Sequence, residues 1–232
     1  MQRYEQTNLP KQPNSIYVCW LDIMGAKAIL SRTLVVGATF IARLHKISLN
    51  AQSTCGNKVR LYPMIDGLYI TCERKEDLES FLKMVFNNLK QIFIETPDIQ
   101  YKFIVKASIA FGPVIQGFEI RDEEIVKGQY KESLLFGIAM VQAFEGEHEA
   151  PPFGVFIDES ARAFAPTTTS PYPVKWWTWF TQAQNNETDK LLEQLKAYFD
   201  WCKKRSYAID YPIGRIEHHL EQATQYFGLL KN

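Results

Sequence analysis

Residues 16–25, IYVCWLDIMG, are the stretch from which the fold can be argued. Its first six residues are apolar, β-branched or aromatic with almost no polar alternation, which is typical of a buried strand. Asp22 ends this run, and Gly25 follows three positions later. A carboxylate and then a glycine at the end of a buried strand indicate a loop where the backbone can approach a ligand. From the residues alone, Asp22 could equally be a turn residue or the cap of a following helix.

The next informative stretch is 59–72, VRLYPMIDGLYITC, which has two β-prone halves around Asp66-Gly67. An Asp-Gly pair between β-formers is a strong hairpin signal. Pro63 predicts a bulge or a non-central strand, because proline cannot donate a hydrogen bond to the ladder. An Asp-Gly turn needs no functional role, so these residues alone leave the role of Asp66 open.

The remaining periodicity predicts an α+β fold. The apolar spacing over 75–95 predicts the most regular helix of the chain, because Leu78, Phe81, Leu82, Val85, Phe86 and Leu89 form one stripe. Further helices are predicted over 27–50 and 134–144, and strands over 103–111, 114–118 and 153–157. This order favours a largely antiparallel sheet with helices on one face. After it, an aromatic β-prone segment at 174–180 and two amphipathic helices indicate a C-terminal helical extension.

Composition narrows the class of protein. The 232 residues are 46% hydrophobic, which excludes global disorder. Lys plus Arg and Asp plus Glu both number 26, and this balance disfavours a strongly basic nucleic-acid binder. No apolar run approaches the roughly 18 residues of a membrane span, and the N-terminal residues show no signal peptide. The four cysteines form no C-x-x-C pair, so we expect free thiols in a cytoplasmic protein.

Five segments together resemble the class III nucleotide cyclases. WLDIMG at 20–25 resembles their first metal motif, and MID at 64–66 resembles the second, 66 − 22 = 44 positions later. KASIAFG at 106–112 resembles their strand that begins with a basic residue. GIAMVQAFE at 137–145 and FID at 156–158 resemble the later helix and strand. The resemblance covers about residues 16–163 and is closest to bacterial antiphage pyrimidine cyclases of the Pycsar type.

The resemblance implies an organisation of the chain. Residues 1–14 would be a flexible leader, and residues 15–165 would form a ferredoxin-like cyclase palm. Residues 166–232 would add the aromatic strand and the helical C-terminal extension, packed on the palm. Because the family builds each site between two palms, the resemblance also implies a homodimer with two equivalent sites.

It also implies a metal site. Asp22 and Asp66 would be the catalytic ligands of two Mg²⁺ or Mn²⁺ ions, with the backbone carbonyl of Ile23 as a further ligand. One ion would lower the pKa of the ribose 3′-hydroxyl, which attacks the α-phosphorus as pyrophosphate leaves, and the other would neutralise the triphosphate. Amides of Met24, Gly25 and Ala26 would bind phosphate, helped by the start of the following helix.

Two further residues are implied in nucleotide binding. Lys106 stands where the family usually has arginine and would contact phosphate or base, although a lysine is a point charge rather than a bidentate fork. Tyr62, four residues before Asp66, occupies the position that helps to select the base, and a tyrosine there is in character for pyrimidine cyclases. The alternatives are a solvated lysine at a strand edge and an ordinary strand tyrosine.

Two positions depart from the purine cyclases. Val141 and Glu145 stand where those enzymes have asparagine and arginine, and neither side chain can replace the lost donors. We therefore expect a pyrimidine cyclase that converts UTP or CTP to the 3′,5′-cyclic monophosphate and pyrophosphate, as an antiphage second-messenger synthase. The alternatives are a catalytically silent cyclase-like dimer that binds nucleotide and, with less support, an adenylate cyclase.

Overall fold

A computed structural model describes residues 9–56, 58–121, 129–165 and 175–229, and the structural statements below concern these residues. The strands are β1 Asn14–Ile23, β2 Val59–Met64, β3 Gly67–Cys72, β4 Val105–Gln116, β5 Leu135–Gly137, β6 Val155–Ile157 and β7 Trp176–Trp177. The helices are α1 Ala26–Arg32, α2 Leu34–Thr54, α3 Lys75–Glu95, α4 Gln129–Ser133, α5 Ile138–Gly146, α6 Asn185–Lys203 and α7 Ile213–Gly228.

The strands form one sheet in the order β2-β3-β1-β4-β6-β7, and β5 pairs with β4 beyond the end of β6. Every pair is antiparallel except β4 with β6. The strand β1 lies in the centre, with Trp20 opposite Tyr69 of β3 and Ser108 of β4. This arrangement confirms the predicted α+β palm with a largely antiparallel sheet. The position of β2 at the sheet edge also explains how Pro63 is tolerated there.

One side of the sheet, which we call the helix-covered face, is packed against α2 and α3. It receives alternate residues of β1, namely Cys19, Leu21 and Ile23, because side chains alternate between faces along a strand. The helix α3 begins and ends as its periodicity predicts, and its apolar stripe is buried here. This face holds the larger hydrophobic core of the protein.

The opposite side, which we call the second face, carries Val18 and Trp20 of β1 and is covered in part by α5. Ala139 and Ala143 are the buried contacts of that helix. The hydroxyl of Tyr69 donates a hydrogen bond to the carbonyl of Met140 at 3.4 Å, which ties α5 to β3. The helices are therefore not confined to one face, because this short helix covers the second face next to β1 and β4.

Three predicted elements have different bounds. The predicted helix over 27–50 is broken at Thr33, which has extended φ and ψ, into α1 and α2. The first residues of the predicted helix over 134–144 belong to β5, and the helix α5 begins at Ile138. The two predicted strands around Gly112-Pro113 are one strand, β4. Proline is tolerated in β4 because the pairing with β6 ends at Ile109 and the pairing with β5 begins at Val114, so a neighbour is present on one side only.

The C-terminal helices join the core of the helix-covered face. The predicted strand over 174–180 is reduced to Trp176 and Trp177, and residue 174 lies outside the described residues. Trp179 leaves the strand and is buried, with its ring stacked on Phe86 at 5.8 Å and its indole N–H donated to the carbonyl of Phe153. The hydroxyl of Tyr226 in α7 donates to the carbonyl of Trp177 at 2.7 Å. Among the described helices, none is long and apolar enough to cross a membrane.

Candidate active site

The strand register brings three predicted site residues to one end of the sheet. Asp22 of β1 lies opposite Gly67 of β3 on one side and opposite Lys106 of β4 on the other. Asp66 immediately precedes Gly67, in the tight turn between β2 and β3. Neighbouring strands are about 4.8 Å apart, so two carboxylates and an ammonium lie in a row across three strands.

Asp22 has the most strongly perturbed environment of this row. Its Oδ1 is buried and accepts no hydrogen bond from any described residue. Burial, followed by the negative charges of Asp66 and Glu147, raises the pKa of its carboxyl to about 8, although the Ile23 amide and the charge of Lys106 oppose this shift. Asp22 is not the cap of a helix, because Gly25 occupies the N-cap position of α1. A buried carboxylate oxygen that lacks a donor, close to a second carboxylate, is a place where a cation would fit.

Gly67 explains why the hairpin carrying Asp66 can approach β1 so closely. A Cβ atom at this position would lie 2.5 Å from the carbonyl oxygen of Leu21 and 2.9 Å from the ring of Trp20. The Asp-Gly pair therefore does more than form a turn. The missing side chain of Gly67 lets the end of the hairpin, and with it Asp66, sit directly against the end of β1.

The loop predicted to bind phosphate follows Asp22. Gly25 has a φ of +73°, in the left-handed region that favours glycine, and no atom lies within 4 Å of where its Cβ would be. The amide of Met24 is already donated to the carbonyl of Ile104 at 2.9 Å. The helix α1 that begins at Ala26 has only seven residues. The loop is thus open around Gly25, while the Met24 amide is engaged inside the protein.

Lys106 is buried rather than solvated, so the alternative reading of a solvated strand-edge lysine is wrong. Its Nζ lies 3.2 Å from Glu147 Oε1, and the two side chains are 4% and 12% exposed. Burial lowers the pKa of Lys106, and the negative charge of Glu147 opposes this shift. Glu147 could not be predicted from sequence, since it lies in a 3₁₀ turn after α5 and belongs to no motif that would have singled it out.

Tyr62 differs from Asp22 because its polar group is hydrogen-bonded inside the protein. It is buried, and its hydroxyl donates to Gln116 Oε1 at 2.8 Å. The same oxygen accepts a hydrogen bond from Thr71 Oγ1 at 3.3 Å. Burial raises the pKa of the Tyr62 phenol to about 12. The ring lies on the second face beside Tyr69, and the hydroxyl is hydrogen-bonded to Gln116 rather than to either aspartate.

The hairpin tip, β5 and α5 carry large apolar side chains that are exposed. Val141 and Glu145, the two positions that depart from the purine cyclases, are both exposed on α5. Ile65, at the tip of the hairpin next to Asp66, is 89% exposed. Other large exposed apolar side chains of the hairpin, β5 and α5 are Met64, Phe136, Ile138, Val141 and Phe144. A surface with this many exposed apolar side chains is typical of a protein–protein contact.

The described residues contain no group of three or more His, Cys, Asp or Glu side chains arranged to hold a metal ion. A divalent ion at this site would therefore depend on two carboxylates, on backbone carbonyls and on oxygens from a bound molecule. Mg²⁺ is commonly held in this way, by one or two carboxylates together with substrate phosphates. The residues present fit a hard divalent cation that binds together with a phosphate ligand.

The sequence matches no known family model, and no curated protein is detectably similar to it. The structure is similar to the monomeric guanylyl cyclase domain of the RhoGC fusion protein from Blastocladiella emersonii. That match has 18% identity and a TM-score of 0.51, and covers 66% of this chain and 85% of that one. The guanylate cyclase domain of RhGC from Catenaria anguillulae, in complex with GTP, matches with 18% identity, a TM-score of 0.52, and coverage of 66% and 83%.

A third structure is the catalytic core of a rhodopsin-guanylyl cyclase with converted specificity, in complex with ATPαS. It matches with 15% identity and a TM-score of 0.53, and covers 72% of this chain and 97% of that one. Identities this low show the fold alone. About two thirds of the chain therefore has the palm fold of nucleotidyl cyclase catalytic domains.

Proposed function

We propose that this protein is a metal-dependent nucleotidyl cyclase that converts UTP or CTP to the 3′,5′-cyclic monophosphate and pyrophosphate. The observation that carries the proposal is the buried, unpartnered Oδ1 of Asp22, at a strand end beside Asp66, within a cyclase palm fold. A buried carboxylate oxygen without a hydrogen-bond donor costs free energy, which a divalent cation would offset.

Asp22, Asp66 and the backbone carbonyl of Ile23 would hold two Mg²⁺ or Mn²⁺ ions. When bound, such ions activate the attacking hydroxyl and neutralise the leaving phosphates. Lys106, in the register position next to Asp22, would add positive charge for the triphosphate. In the loop of Met24, Gly25 and Ala26, the amides of the last two residues would serve the phosphates, because the Met24 amide is donated to Ile104.

The choice of a pyrimidine rests on two features of this chain. Tyr62 lies four residues before Asp66 with its ring on the second face, and Val141 and Glu145 lack the donors expected in a purine cyclase. To hydrogen-bond a base, the Tyr62 hydroxyl would have to exchange Gln116 for the ligand. Two of the similar structures hold GTP and ATPαS. The turnover of purine nucleotides should therefore be measured beside that of UTP and CTP.

We also propose a homodimer that works in the cytoplasm, where nucleoside triphosphates are made, and that supplies a second messenger in defence against phage. The exposed apolar side chains of Ile65 and α5 support the dimer, and Ile65 immediately precedes Asp66 in the chain. Protection of expressing cells from phage that is lost in Asp66→Asn would support the defence role.

A dimer that binds nucleotide without turnover is the second candidate, and the exposed Val141 and Glu145 favour it.

Purified protein should be incubated with each of the four nucleoside triphosphates and Mn²⁺, and the products separated by chromatography. We expect a cyclic pyrimidine product from the wild type, and at least about a hundredfold lower turnover from Asp22→Asn and from Asp66→Asn. Asp200→Asn, an exposed aspartate on α6, is the matched control and should keep full activity. A wild type without any cyclic product, indistinguishable from Asp66→Asn, would exclude the enzyme and leave the binding protein.

A further inference from the structure

The pair formed by Lys106 and Glu147 is a charged feature that the predicted motifs do not include. Glu147 Oε1 lies 3.2 Å from Lys106 Nζ, and its Oε2 lies 3.5 Å from His148 Nδ1. Among the described residues, Glu147 is the one carboxylate within 4 Å of this ammonium. The lysine and the glutamate come from different elements, β4 and the turn after α5, so the fold has to bring them together.

The ammonium of Lys106 forms its ion pair with Glu147 and not with Asp22, its neighbour in the sheet. Lys106 and Asp22 are directly opposite each other on adjacent strands, where oppositely charged side chains usually attract. No ion pair links these two residues in the described part of the chain, although the charge of Lys106 still lowers the pKa of Asp22. Asp22 Oδ1 keeps no donor as a result. Glu147 therefore holds the ammonium beside the carboxylate pair without letting it cap that pair.

The energetic reason is the burial of Lys106. An ammonium this deeply buried needs a carboxylate partner, since an uncompensated buried charge is strongly unfavourable. If Glu147 were neutral, the nearest carboxylate that could compensate Lys106 would be Asp22, one strand away. The flexible four-carbon stem of lysine would permit that move. Such a pair would occupy the oxygen that the proposed function assigns to the cation.

We propose that Glu147 is a positioning residue that keeps the Lys106 ammonium off Asp22 and directed toward the triphosphate. The inference rests on the proposed function, because that function places a cation on Asp22 and phosphates next to it. It assigns Glu147 no contact with the nucleotide or the cation. Its effect on both ligands passes through Lys106.

The test uses the intact protein and two probes that need no turnover, Mn²⁺ alone and tripolyphosphate with Mn²⁺, each titrated by calorimetry. For Glu147→Gln we expect about tenfold weaker binding of both probes, because Lys106 pairs with Asp22. Glu147→Asp should restore most of the affinity, since it restores the charge. Glu149→Gln, an exposed glutamate two residues later, is the control and should bind like the wild type.

The double variant Lys106→Met/Glu147→Gln separates positioning from simple loss of structure. Without an ammonium to pair with Asp22, it should bind Mn²⁺ as the wild type does, while tripolyphosphate binding stays weak. If Glu147→Gln does not fold, Glu147→Asp and this double variant are compared instead, because neither leaves the Lys106 ammonium without a partner. Wild-type affinity for tripolyphosphate in the double variant, or for both probes in Glu147→Gln, would overturn the proposal.

The result of these titrations does not depend on whether the protein turns over a nucleotide. A wild type that binds both probes but makes no cyclic product would refute the cyclase and leave Glu147 testable by the same titrations. A wild type that binds neither probe would overturn the role of Glu147 as well. In an active enzyme, Glu147→Gln should raise the KM for the nucleotide more than it lowers kcat, because Lys106 contacts phosphate before and during the reaction.

Discussion

The two faces of the central strands β1 and β4 differ in chemical character. On the helix-covered face, β1 contributes Cys19, Leu21 and Ile23 to a continuous apolar core under α2 and α3. On the second face, Asp22 of β1 and Ser108 of β4 each have a buried side-chain oxygen without a described hydrogen-bond partner. Lys106, buried on the same side, is compensated by one glutamate.

This difference shows how a marginally stable protein can hold an unfavourable site. Net stabilities of domains are only about 5–15 kcal/mol, so a buried carboxylate oxygen without a donor is a large cost. The helix-covered face supplies the apolar burial that offsets it, through α3 and the C-terminal helices. Removing a buried ring from the helix-covered face and removing the charge of Asp22 from the second face should therefore change the free energy of unfolding in opposite directions.

The largest expected effect is on the helix-covered face. Phe86→Ala removes a ring that is fully buried on α3 and stacked on Trp179 at 5.8 Å. We expect the free energy of unfolding to fall by about 3–5 kcal/mol, because a cavity forms and the contact between α3 and the C-terminal segment is lost. Urea denaturation followed by circular dichroism measures this, with Phe86→Leu as a milder control. A loss below about 1 kcal/mol would mean that the C-terminal segment does not share this core.

Removing the charge of Asp22 on the second face should instead increase the free energy of unfolding. In the folded protein the pKa of Asp22 is raised to about 8 from its usual 3.8. Between these values the folded state keeps a proton that the unfolded state has released, so the free energy of unfolding falls as the pH rises through this window. Asp22→Asn removes this dependence. It should be about 1–3 kcal/mol more stable than the wild type above pH 8 without metal, after allowance for solvent screening.

The check is urea denaturation of both proteins in EDTA from pH 4 to pH 9. The two curves should come closest at pH 4, near the unfolded-state pKa of Asp22, because the proton uptake that separates them is almost complete there. Addition of Mn²⁺ at pH 8 should stabilise the wild type and leave Asp22→Asn almost unchanged. A variant less stable than the wild type at every pH would show that Asp22 is a structural residue with a favourable environment.

The smallest effect concerns the satisfied hydrogen bonds of the second face. Tyr62→Phe removes the donor to Gln116 Oε1, which still accepts from Thr71 Oγ1. We expect a loss of about 1 kcal/mol, typical of one buried hydrogen bond between neutral groups. The midpoint of urea unfolding reports it, and Tyr130→Phe, at an exposed tyrosine, serves as the control. A loss of several kcal/mol would indicate that Tyr62 organises more of the second face than this one contact.

The sequence pattern predicted an element correctly where the residues of that element alone determine its structure. The periodicity over Lys75–Glu95 predicted both ends of α3, and Asp66-Gly67 predicted the hairpin between β2 and β3. The sequence pattern predicted the wrong bounds where pairing with a neighbouring strand determines the structure. Gly112-Pro113 reads as a strand end, yet β4 continues because β1 pairs along its whole length. Leu135–Gly137 fits a helix by its residues but pairs with β4 instead.

The sequence by itself determined the elements, their order, and the placement of Asp22 and Asp66 at strand ends, because hydrophobic period and turn chemistry are local properties. Only the tertiary structure decided that Asp22 Oδ1 is buried without a donor, that Lys106 pairs with Glu147, and that the Tyr62 hydroxyl is held by Gln116. These outcomes depend on strand register and on packing between distant segments. A residue type constrains such contacts weakly, because the same side chain is satisfied by many partners and the fold selects one.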